Sequence, residues 1–246
     1  MSLREEIKPF IDGNGLVMPN IYTGEHLRGS DNGIMFTSEY YILLNDNNQL
    51  DDLDKSVYKT VIENCSVEPG LVARAPGKQQ GGPPPDDLYA IAAASKTLNL
   101  PEIAKAIVDY GDKHHWVFNA DRPGNPHWGS GYDFEAWLGR QIPLVCALRA
   151  AAGLSLPGWL RLATAAVIAT SCAGVKKEDT DARRLAFHLV RAVEGSGGIL
   201  DWACNIWWSR LRRDYGDEGM RGVALLYYQG DHPFKRFWRN RWNITT

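Results

Sequence analysis

Net charge is scarce in this 246-residue chain: 27 Lys and Arg against 29 Asp and Glu leave only −2. So small an imbalance gives no electrostatic reason to expect nucleic acid or an acidic membrane surface as a partner. Long apolar runs are missing too. The longest, around 159–173, is interrupted by Arg161 and is too short to span a bilayer. The opening MSLREEIKPF puts charges where a secretory leader needs an apolar stretch, so neither a signal peptide nor membrane insertion is expected. Cysteine is sparse: Cys65, Cys146, Cys172 and Cys204, with no C-x-x-C pair. Each has small or apolar neighbours, which predicts buried free thiols in a reducing compartment. Named chemistry is lacking as well. There is no Walker loop, G-x-S-x-G, Rossmann fingerprint or H-E-x-x-H, and Ser196 in EGSGG lacks a strand–turn–helix setting. No cofactor and no metal are expected.

What is present is a helical protein rich in tryptophan. Hydrophobic residues make up 44%, and nine tryptophans favour a binding surface. Residues 1–36, rich in Gly, Asn and Pro, show no sustained period and read as an extended arm. Beyond them the periodicity is helical. Helices are expected near 38–45 (started by Thr37 or Ser38), 51–65, 86–98, 101–110, 132–152 with a bend at Pro143, 158–174, 179–194, 199–211 and 217–228. The pattern is all-α: sequential antiparallel hairpins over 37–230, forming an open or incomplete α/α toroid, then an aromatic-basic tail over 231–246. In such hairpins the connections alternate between two ends. The long links 66–85 and 112–131 then fall at one end, where function is expected to sit.

Three constellations are candidates. In GGPPPDDLYAI, Asp86 and Asp87 open a helix, where they cap it or complement its dipole. For acid–base work each would need a distant carboxylate, such as Asp133 or Glu135. The link GDKHHWVFNADRPGNPHWGSGYDFE gathers His114, His115, Trp116, Arg122, His127 and Trp128. With Arg74, these are candidates for binding a glycan or a protein partner. In the tail, Phe234, Phe237, Trp238 and Trp242 lie at helical spacing among Lys235, Arg236, Arg239 and Arg241, an amphipathic docking segment.

The run PGLVARAPGKQQGGPPPDDLYAIAAAS resembles a segment of uncharacterised proteins encoded by tailed bacteriophages, in which a P-G-L-x-x-R-x-P-G loop precedes an acidic pair. The following YG…W…N…PG and Leu138-Gly139-Arg140 extend the similarity over about 65–150. The resemblance implies a phage origin and carries over no catalytic residue. The hairpin pattern also resembles the α/α toroids of glycosidases and polysaccharide lyases, at the level of fold alone. The expectation is therefore a structural or interaction component of a phage particle, tail- or fibre-associated, docking through its N-terminal arm and long-loop face. Its expected partners are other virion proteins and copies of itself, in the host cytoplasm and then in the virion. The alternative is a glycan-degrading enzyme.

Overall fold

In the computed structural model, residues 3–8, 11–17, 33–46, 48–73, 76, 85–118, 134–135, 141–174 and 180–215 are described. They are mostly helical: α1 (Leu3–Ile7), α2 (Gly33–Asp46), α3 (Asp52–Cys65), α4 (Pro85–Leu98), α5 (Pro101–Lys113), α6 (Ile142–Ala151), α7 (Gly158–Gly174), α8 (Thr180–Val193) and α9 (Ile199–Tyr215). Each long link carries one short antiparallel ladder. These pair β1 (Ser66–Glu68) with β2 (Leu71–Val72), and β3 (Val117–Phe118) with β4 (Phe134–Glu135). The protein is all-α, an arrangement of helical hairpins with little strand. Among the described residues no helix is long and apolar enough to cross a membrane.

The hairpins gather around α4, which packs against α2, α5, α6 and α8. Its residues from Leu88 to Ser95 are all buried, and Ala90, Ala92, Ala93 and Ala94 are among them. Small side chains on every side let several helices approach one axis at interior packing density. The middle of the arrangement is therefore filled by a helix.

α2 is buried from Gly33 through Leu44. A helix enclosed all round has no apolar stripe, so the periodicity misplaces its start at Thr37 or Ser38. Both hydroxyls are interior. Thr37 donates to the Gly33 carbonyl at 2.6 Å and accepts the Val17 N–H at 2.8 Å, while Ser38 shares a 2.9 Å bond with the Tyr58 hydroxyl. The helix expected over 132–152 is also shorter. It begins at Ile142 with Pro143 in its first turn, where a missing N–H is harmless, so the proline starts the helix instead of bending it. Phe134 and Glu135 pair as a strand with Phe118 and Val117.

The described part of the expected arm folds onto the helices. Ile7, Leu16 and Val17 are buried in the core, and Ile11 bridges to Val17 across a turn. Arg4 clamps this segment to α3. Its guanidinium bonds both carboxylate oxygens of Asp54, reaches Asp51 at 3.2 Å and donates to the Gln49 carbonyl at 2.6 Å. Asp51 is the N-cap of α3, and a reciprocal box joins it to Asp54 through two 2.8 Å bonds.

The Asp54 N–H, with Arg4 nearby, holds the Asp51 carboxyl below its ordinary value of 3.8. A folded value below the unfolded one contributes stability that is present above the unfolded value and lost as pH falls through the folded one. Asp51→Asn keeps a capping side chain and removes that charge. Wild type is expected to have the higher urea midpoint at about pH 6, with the gap closing by about pH 2. Equal midpoints at both pH values would refute this account.

Candidate functional site

The start of α4 separates its two aspartates. Pro85 occupies the first helical position and both carboxylates lie in the first turn, where the helix dipole favours them. Asp86 is partly exposed, whereas Asp87 is fully buried. Adjacent residues thus face different surroundings, as their geometry dictates, and do not form a dyad. Asp87 lies close enough to Cys65 for its charge to add to burial, and together they push that thiol up to about 12. Burial likewise lifts Cys204 to about 12 and raises Cys146. All three are free and buried. A thiolate is the reactive form, so these cysteines are poor nucleophiles.

At the end of α5 the aromatic residues turn inward. The Trp116 ring packs on Gly111, where an added Cβ would stand 2.8 Å from the indole Cε3. Its Nε1–H donates to Asp112 Oδ1 at 3.0 Å, and only 3% of the residue is exposed. Trp116 therefore cannot offer a ring face to a sugar, the role suggested by the long link. His114 stacks on Tyr110 with centroids 4.3 Å apart, and His115 is exposed at a left-handed φ of 55°. Glu135 lies on β4 opposite Val117. Arg74, Arg122, His127, Trp128, Asp133, Phe234, Phe237, Trp238, Trp242 and the helix expected over 217–228 lie outside the described residues.

Sequence reasoning missed a surface on α7 and α9, two helices that pack together. Arg161 on α7 donates to the Ser196 carbonyl at 3.1 Å, bringing the start of α7 to the turn that begins α9. That turn is EGSGG. Gly195, Gly197 and Gly198 all have positive φ, and Asp201 accepts the N–H groups of Gly195 and Gly197 at 2.9 and 3.1 Å. Ser196 thus belongs to a capping turn. Trp207 and Trp208 enter the core, but Trp202 is 57% exposed. Trp159, Leu162, Val167 and Ile199 are exposed with it. Ala169 joins Trp202, Ile206 and Arg213 around a shallow depression of about 810 Å³. The signal was in the composition of α7: GWLRLATAAVIATSCAG holds one charge in 17 residues.

A second surface lies where the β1–β2 turn meets α5, a groove of about 460 Å³. Ile62, Val67, Ile103 and Ile107 form its apolar lining, and Glu63, Glu68 and Glu102 border it with Lys59. Lys59 pairs with Glu102 at 3.4 Å. Glu68 Oε1 is buried and meets no hydrogen-bond donor among the described residues. The described surface thus offers two depressions, one on α7 and α9 and one beside the β1–β2 turn, and no converging catalytic set among the described residues. Compared with family models, curated proteins and solved structures, the chain finds no match.

Proposed function

We propose that this protein is a structural subunit of a bacteriophage particle and assembles by pairing the α7–α9 face with the same face of a second copy. The observation that carries the reading is α7 itself. It is apolar nearly all round, yet Leu162 and Val167 lie open to water. A helix of that composition belongs in an interior. The two half-exposed indoles alone leave roughly 200 Å² of aromatic surface uncovered. The size also suits a second copy. Two 17-residue helices are about 25 Å long, and side by side present a face about 20 Å wide. A standard interface covers about 800 Å² on each partner, and the flat extent of such a face, about 500 Å², supplies the larger part of it. The P-G-L-x-x-R-x-P-G resemblance supports the phage assignment.

The test is mass in solution together with particle composition. Wild type at about 10 μM should sediment as a dimer, a concentration at which interfaces of standard size commonly hold. Trp202→Glu and Leu162→Glu should each sediment as monomers with unchanged helicity, and the chain should appear in purified particles by mass spectrometry. A wild type that stays monomeric at tenfold higher concentration and is absent from particles would sink the proposal.

A further inference from the structure

The groove between the β1–β2 turn and α5 is acidic, half-apolar and open to solvent. Three carboxylates border it against one ammonium, that of Lys59, which is already paired with Glu102. Glu68 places a buried oxygen there without a donor, and a buried acceptor left unmet costs stability until a donor or cation arrives. Ile62, Val67, Ile103 and Ile107 supply its apolar lining. Its volume of about 460 Å³ lies within the range of pockets that receive ligands. This combination asks for an apolar anchor flanked by cations.

The sequence supplies such a segment. Residues 231–246 carry Lys235, Arg236, Arg239 and Arg241 against one acid, Asp231, a net +3. The whole chain is −2, so the other 230 residues carry −5. Phe234, Phe237, Trp238 and Trp242 stand beside those cations at helical spacing. Between the end of α9 at Tyr215 and residue 231 lie 15 residues, which can span up to about 50 Å.

We propose that this groove is the docking site for residues 231–246. An aromatic side chain of the segment packs against the apolar lining, and its lysine and arginines meet Glu63, Glu68 and Glu102. The contact is separate from the α7–α9 pairing and goes beyond it, because it gives the tail a receptor within the protein's own fold. Charge complementarity sets the partner here, whereas apolar area sets it on α7 and α9.

The experiment uses the full chain with p-benzoylphenylalanine at Pro69, an exposed position on the groove's border. After irradiation and digestion, adducts should map to peptides from 231–246. Glu63→Lys/Glu102→Lys, both at exposed positions, should cut the adduct at least fivefold while leaving the helical spectrum unchanged. Arg236→Glu/Arg239→Glu should do the same, and combining the two charge reversals should restore the adduct. Mixing isotopically labelled and unlabelled chains then assigns the contact to one chain or to two, and either result supports it. Adducts that map only elsewhere, or that ignore the charge reversals, overturn it. Neither outcome depends on whether the α7–α9 face dimerises.

Discussion

His188→Leu is expected to lower unfolding stability by about 1–3 kcal/mol, the usual cost of taking one partner from a buried polar contact. His188 on α8 is fully buried, and its Nε2 lies 3.1 Å from Oε1 of Glu39 on α2, which is 3% exposed. Both helices pack on α4, so the contact ties together two elements gathered around the central helix. Phe187 adds an edge-on ring contact at 5.7 Å, closing the imidazole off from water. Without the imidazole, the Glu39 carboxylate loses this partner in a place water does not reach. Glu39→Leu should cost a comparable amount. Glu39→Leu/His188→Leu should recover most of the loss, because two apolar side chains of similar volume often replace a buried pair at little cost. Urea denaturation of the four proteins closes the cycle. Additive losses would show that the two groups do not depend on each other. A loss of this size is a large share of a typical domain's total stability of about 5–15 kcal/mol.

Amphipathic and capped elements were legible in the sequence, and enclosed ones were not. α8 shows an apolar stripe through Ala186, Leu189, Val190 and Val193, and its expected bounds of 179–194 match Thr180–Val193. α3 announces itself through the capping acids Asp51 and Asp54, and α5 through Pro101 at its first position. α2 offers no stripe because every side is buried, so its first turn went unseen. The two ladders are two or three residues long per strand, too short to impose a period of two. The surfaces fared worse. Polar and aromatic residues in the long links are the conspicuous sequence signal, yet Trp116 and Asp87 turn inward while Leu162 and Trp202 turn outward. A tryptophan letter says that a large ring must be accommodated. Which face of which helix it occupies depends on tertiary packing, and one sequence does not encode that locally. The uncharged outer face of α7 was the readable clue, because a helix with a wet side normally spends charge on it.

Gly70→Ala should be the most damaging small change at the long-link end. Pro69 and Gly70 turn β1 into β2, and Gly70 has a φ of +83°. Pro followed by Gly suits the two central positions of a type II turn. A Cβ at Gly70 would stand 2.1 Å from the Ala106 carbonyl oxygen and 2.7 Å from its carbonyl carbon, both backbone atoms of α5. Neither can rotate away, so the turn must lift off the helix. The left-handed backbone costs roughly 1–2 kcal/mol for a side-chain-bearing residue. Overpacking adds about 1–3 kcal/mol. Leu71, the next residue, is fully buried, so lifting the turn also disturbs a core side chain. Pro69→Ala is the control, since it keeps the close approach and should cost only about 0.4–1 kcal/mol through the unfolded chain. A thermal melt of both variants separates the accounts, with Gly70→Ala melting well below Pro69→Ala. Equal melts would mean that the turn is not pressed against α5. In that case Ile103 and Ile107 would not face Val67 across a groove of fixed width. If the drop is as large as expected, the P-G-L run has a physical reading: proline sets the turn, glycine admits the neighbouring helix, and leucine anchors both in the core.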